Sequence, residues 1–236
     1  MKNSLMLKHS STISSIDWTD ASLCEEYLYY MKRLIQAPSL DVTASQFAKS
    51  YAKVVVLPAL SKMTLEDKAY DMSIHNCQLT LGKNEAKWNP SLQLVNAQED
   101  FHKKGPREIW REQAIATLFR EHVNRIWYTL FDVTAVSRAL LWENTAVRIF
   151  SLYEKKLMKH ATPEVKARIE EDFQYLIHDA KSEVFGTKTN PLQLFYSTKQ
   201  SEDSVRVRQT CCYYYQTGTS KGKFCGACPK KECNSK

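Results

Sequence analysis

Five of the seven cysteines in this 236-residue chain fall within its last 26 residues: Cys211, Cys212, Cys225, Cys228 and Cys233. They sit in the segment CCYYYQTGTSKGKFCGACPKKEC, where an adjacent pair is followed by 12 residues and then by C-x2-C. A metal or iron–sulfur centre needs four thiolates brought to one place, and a hydrophilic, Gly-bearing loop lets the chain turn back to supply them. Disulfides are disfavoured, because vicinal cysteines bridge only with strain and the chain reads as a cytoplasmic one with reduced thiols. Structural zinc usually takes two CxxC-like hooks, and only Cys225–Cys228 has that form. An iron–sulfur cluster can use adjacent cysteines if the backbone bends between them. Spacing leaves three readings open, with iron–sulfur ahead of zinc and of spare surface thiols. Cys233 lies almost at the C-terminus, where chains are poorly anchored, and is not expected to be a ligand. Cys24, on an amphipathic helix, and Cys77, in a strand, read as small core hydrophobes.

A second set of polar residues could serve a substrate. Arg120, His122 and Arg125 lie together in FREHVNR, and Arg138 lies on the next helix. Such a group could bind the carboxylates or hydroxamates of an anionic ligand. The competing assignment for each is a surface ion pair, Glu121 with Arg125 being an i,i+4 pair. Trp142 and Tyr213–Tyr215 could offer a flat wall to a ligand or pack the tail against the body. Residues 101–160 hold 11 Lys/Arg against 6 Asp/Glu, and residues 201–236 hold 7 against 3. The signs alternate along helices, so no continuous basic stripe points to nucleic acid.

The elements that must position these groups are mostly helical. TDASLCEEYLYYMKRLIQ reads as a helix capped near Thr19 and ended at Ala37–Ser39. A second begins near Thr43 and should be kinked or broken at Pro58. The stretch 71–96 alternates apolar and polar residues and predicts a β-hairpin or short antiparallel sheet. Residues 106–160 read as two long helices, the first opened by Pro106 with Ile109, Ala116, Phe119, Val123 and Trp127 on one face. A third helix runs from Thr162 to about Ala180. Beyond Gly186 the chain reads as loop, with Asn190-Pro191 as a turn. The expected fold is α+β: a mainly helical substrate-binding body (1–195) with a small antiparallel sheet, then a short Cys-rich C-terminal module (196–236). That module is too small to fold without a staple. The hydrophobic fraction of 43% and charged fraction of 25% suit a globular chain. No apolar run approaches the roughly 20 residues that span a bilayer. The N-terminus has no apolar signal core, so the expected location is the cytoplasm.

The tail resembles the C-terminal signature of ferric siderophore reductases of the FhuF type. VRVRQTCCYYYQTGTSKGKFCGACP carries Arg208, Cys211, Cys212, Tyr214 or Tyr215, Cys225, Cys228 and Pro229 in that family's order, though its loop is longer than the family commonly has. SQFAKSYAKVVVLPALSKMT and LLWENTAV resemble the family's helical body less specifically. The resemblance implies a [2Fe–2S] cluster on Cys211, Cys212, Cys225 and Cys228, used for one-electron reduction of Fe(III) in a siderophore. Nearby Arg208, Lys221 and Lys223 would favour the reduced cluster or merely solvate the loop. No Rossmann, flavin or P-loop motif appears, so electrons would come from an external donor such as a ferredoxin, a flavodoxin or their reductase. The competing expectation is a zinc-stabilised binding protein without redox activity.

Overall fold

A computed structural model describes residues 12–81, 88–101, 105–197 and 205–231. Cys233 and the Ser/Thr-rich residues up to 11 lie outside them. The fold is mainly helical with small antiparallel sheets, as the patterning predicts.

Helix α1 (Ala21–Ile35) is capped one residue later than expected, the Asp20 carboxylate accepting from the Leu23 amide at 2.9 Å. Its buried residues Cys24, Leu28, Met31 and Ile35 recur every three or four positions, giving one apolar stripe. It ends at Gln36 in the left-handed conformation (φ 50°). Helix α2 (Leu40–Tyr51) passes through a π turn at Ala52–Val56 into α3 (Leu57–Glu66) without a break. Pro58 therefore does not interrupt the run. The widened turn lies just before it, where the proline's missing N–H would otherwise leave a carbonyl unpaired.

Strands β3 (Cys77–Leu81) and β4 (Pro90–Leu94) form the anticipated hairpin, with Leu79 opposite Leu92. β1 (Thr12–Ser14) adds to the other edge of β3. Cys77 and Leu79 are buried, so the face pointing to the core is set by the period of two. A second pair, β2 (Lys68–Tyr70) with β5 (Glu99–Phe101), was not anticipated, being only three residues long on each side.

Helix α4 (Arg107–Leu118) continues through a π turn at Phe119–Val123 into α5 (Asn124–Thr134). Ala116, Phe119, Val123 and Trp127 are buried as expected, whereas Ile109, in the first turn, is exposed. Ala135 (φ 56°) separates α5 from α6 (Arg138–Ser151). α7 (Pro163–Gln174) comes next, capped by Thr162. Residues 191–195 are not loop. Asn190 accepts from the amides of Leu192 and Gln193 and caps a short α8 (Pro191–Phe195), whose Leu192 and Phe195 are buried.

One buried ionic knot ties α3, α4 and α7 together. Asp172 has no exposed side-chain surface, accepts from Arg107 at 2.7 and 2.9 Å and from Arg111 at 2.9 Å, and takes the Thr64 hydroxyl at 2.8 Å. Burial opposes its ionisation, but the two guanidiniums and the hydroxyl hold the carboxyl below its ordinary range. Neutralising Asp172 with Asn leaves two arginines short of a counter-charge inside the fold. The expected cost is about 3–5 kcal/mol in urea unfolding. Glu121→Gln, which breaks only the exposed pair with Arg120, should change stability by less than about 1 kcal/mol.

Candidate metal centre

The tail reaches the body through three charged anchors. Arg206 donates to both oxygens of Glu154 at 3.1–3.3 Å and lies 4.2 Å from the Tyr196 ring centre. Arg208 is buried, and its amide donates to the Ala227 carbonyl at 3.1 Å, closing the tail on itself. Glu143, on α6, is 2% exposed. Its carboxylate accepts from the amides of Gln209 (2.6 Å) and Thr210 (2.8 Å) and from the Thr210 hydroxyl, with Arg208 at 3.5 Å. The backbone entering Cys211 is thereby fixed by a helix of the body. Residues 205–208 belong to no helix or strand.

Helix α2 holds the next residue. The Ser45 hydroxyl and the Gln46 side-chain amide donate to the Cys212 carbonyl at 2.7 and 2.5 Å. Asn144 of α6 donates to both the Ser45 carbonyl and hydroxyl, locking the two helices under the tail. Tyr213 then turns the chain away with φ 58°, a conformation a tyrosine rarely adopts. The long loop returns past α1. There the Gly218 amide donates to the Gln36 carbonyl at 3.2 Å. The turn from Cys225 to Cys228 closes with the Cys228 amide on the Cys225 carbonyl at 3.1 Å.

These constraints bring the four thiols together as two pairs. Cys212 Sγ and Cys225 Sγ are 3.5 Å apart, and Cys211 lies near Cys228. Cys211 and Cys225 are half-buried, Cys212 and Cys228 buried. The Cys212 thiol is pulled below the ordinary thiol range, first by the hydrogen bond from Cys225 and then by the charges of Lys49 and Arg208. The same bond and burial push Cys225 up, and burial raises Cys211. Two sulfurs on one tetrahedral ion, each about 2.3 Å from it, lie roughly 3.8 Å apart. The Cys212–Cys225 separation fits such an edge. Among the described residues, no three His, Cys, Asp or Glu side chains are already closed around one point. The donor set thus has the softness, number and partial exposure an iron–sulfur cluster needs, gathered as pairs. Cys24 and Cys77 are buried elsewhere, their thiols pushed up to about 12 by desolvation, and they pack the core as expected.

The polar residues considered for substrate separate. His122 is fully buried, its Nδ1 donating to the Met72 carbonyl at 2.7 Å and its Nε2 2.5 Å from the Tyr51 hydroxyl. With both nitrogens engaged inside the core, it is not placed to meet a ligand. Arg120 is exposed and pairs with its neighbour Glu121, so Glu121 is drawn away from the i,i+4 pairing with Arg125. Arg125 is exposed. Arg138 is half-buried, donating to Asn124 at 2.8 Å with its guanidinium 4.0 Å from the Tyr128 ring centre. Trp142 is core, packed on Phe119 and Phe185, and forms no wall for a ligand. Of the tyrosines, Tyr214 stacks under Lys49 and Tyr215 packs on Phe224. Sequence reasoning missed Glu143, Ser45, Gln46 and Lys49. LLWENTAV did carry a signal: a Glu-Asn pair inside an otherwise apolar helix must find partners when buried.

A Cβ on Gly218 would collide with Gln36 Oε1 and sit 2.7 Å from Gln36 Cβ. Gly218→Ala should therefore loosen the tail, seen as faster proteolysis after residue 197 with the body intact. Adding Gln36→Gly, comfortable at φ 50°, should restore resistance. For His122, burial lowers the imidazole to about 4 from its ordinary 6.5. The folded state holds it neutral, so its stability contribution is full above pH 6.5 and is lost as pH falls toward 4. A loss of about 3 kcal/mol is expected over that window. His122→Gln should flatten it in unfolding measured against pH.

Among the described residues no helix is long and apolar enough to cross a membrane. A search of curated proteins finds no significant match. The family described as ferric iron reductase FhuF-like transporter matches residues 45–204. That span begins at Ser45, includes Glu143 and Asn144, and stops short of the first tail cysteine. Covering 160 of the 236 residues, the match shows that this chain belongs to the FhuF-like ferric iron reductase family.

Proposed function

We propose that the protein is a ferric siderophore reductase that passes one electron at a time to Fe(III) through a [2Fe–2S] cluster held by Cys211, Cys212, Cys225 and Cys228. The observation that supports this reading is the approach of Cys212 to Cys225, with Cys211 and Cys228 nearby, against α2 and α6 of a ferric iron reductase body. The cluster would supply a one-electron carrier near the surface. Residues of the chain do the remainder. Ser45, Gln46 and Glu143 hold the backbone on either side of Cys211, and half-buried Cys211 and Cys225 leave a short path to solvent.

The substrate chemistry suits such a carrier. Hydroxamate, catecholate and citrate oxygens are hard donors that hold Fe(III) far more tightly than Fe(II). One electron in, from an external donor such as a ferredoxin, a flavodoxin or their reductase, leaves as one electron to one ferric ion. No covalent bond to the protein forms, and the chelate loosens its iron. The protein would act in the cytoplasm on an anionic ferric chelate, with residues 1–195 as the substrate-binding body and 196–236 as the cluster module.

Anaerobically purified protein should be brown-red, bleach on dithionite, and regain colour on adding a ferric siderophore. A colourless protein with one zinc per chain would overturn this reading in favour of a zinc-stabilised binding protein. Serine at Cys211, Cys212, Cys225 or Cys228 should lose or distort the spectrum, and Cys233→Ser should leave it intact.

A further inference from the structure

Positive charge meets the Cys212–Cys225 pair from the body as well as from the tail. Lys49 stands on α2, 163 residues before Cys212, with its Nζ 3.6 Å from the Cys212 sulfur. It also lies 3.3 Å from Gln46 Oε1 and 4.8 Å from the centre of the Tyr214 ring. Arg208, on the tail, stands close to the same pair and adds its charge to that of Lys49. Glu143 approaches only Arg208, at 3.5 Å, and its oxygens are mostly taken by backbone amides. Like charges packed together at a half-buried site repel and lose hydration. The arrangement makes physical sense only opposite a compensating negative charge.

Resting on the iron–sulfur reading above, we propose that Lys49 is a positioning residue that raises the reduction potential of the cluster. Four thiolates and two sulfides give a [2Fe–2S] centre net negative charge, which deepens by one unit when an electron arrives from the external donor. Fixed positive charge beside one edge of the centre favours that more negative state. Lys49 is not what docks the tail. Ser45 and Gln46 hold the Cys212 carbonyl, while Glu143 holds residues 209–210. Lys221 and Lys223, suggested by sequence for the same role, are exposed, and water screens them.

The test is a redox titration of the purified holoprotein followed by visible absorption, with cluster content measured per chain. Lys49→Met should hold the cluster and lower the reduced-to-oxidised ratio at a fixed ambient potential about tenfold, or ~59 mV for one electron. Lys49→Arg should recover most of the shift. Lys49→Gln serves as a second neutral variant should Lys49→Met fold poorly. Variants that titrate with the wild type, or that lose cluster while the remainder keeps the wild-type potential, would overturn the proposal alone. A wild-type protein without a bleachable chromophore would overturn the iron–sulfur reading and this inference with it.

Discussion

A carboxylate buried in a helical body is costly unless hydrogen bonds replace the water it has lost. Glu143 meets that demand with the backbone of another segment. Two amides and a hydroxyl from residues 209–210 converge on it, so Glu143 and the tail each remove a liability of the other. From this one exchange a hydrogen-bonded path continues across the molecule. Asn144 binds Ser45, Ser45 binds the Cys212 carbonyl, and Gln46 binds it again. The direction in which Cys211 and Cys212 leave the backbone is set by α6 and α2. The tail, about 27 residues in the described region, has no core of its own and takes its shape from the body.

Widened turns are the second device. Among the described residues, four π turns interrupt the long helices, at Ala52–Val56, Phe119–Val123, Leu152–Lys156 and Tyr175–Asp179. Each inserts one residue and rotates the downstream turns of the helix relative to the upstream ones. The first lets a continuous helix present Ser45, Gln46 and Lys49 to the tail and then carry Pro58. The second carries His122, which Met72 and Tyr51 hold in the interior by both its nitrogens. His122 stands three residues after Phe119 and four before Ile126, both buried, so it shares their core-facing stripe. Arg120, two residues away, lies on the opposite side of the helix, and both arginines stay in solvent.

The gross architecture was legible because long helices write their period of 3.6 repeatedly and the hairpin writes its period of 2. Boundaries were less so. Asn190-Pro191 reads equally as a turn or as a helix cap with proline at the first position, and only the buried Leu192 and Phe195 decide for the cap. The cysteines announced themselves by spacing, but their support did not. Ser45, Gln46 and Glu143 are ordinary polar residues in helices far away in sequence, and nothing local says that they face a thiol-bearing loop. Trp142 misled for a related reason. An aromatic beside a polar pair can line a site or fill a core, and its neighbours Phe119 and Phe185 come from distant segments.

Charge shows the same limit most sharply. The excess of Lys and Arg between residues 101 and 160 drew attention to the middle of the chain, yet much of it is already matched. Arg107 and Arg111 close on Asp172, Arg120 on Glu121, and Arg138 on Asn124 and the Tyr128 ring. Count alone gives the far field, which salt screens over roughly 10 Å at 0.1 M. A redox centre responds to the near field, where one half-buried cation within about 4 Å outweighs several exposed ones. For the proposed centre the charges that would matter are Lys49 and Arg208, drawn from two separate segments. The reductase body therefore contributes to the chemistry of the thiols in two ways: it fixes where they point, and it supplies the charge they face.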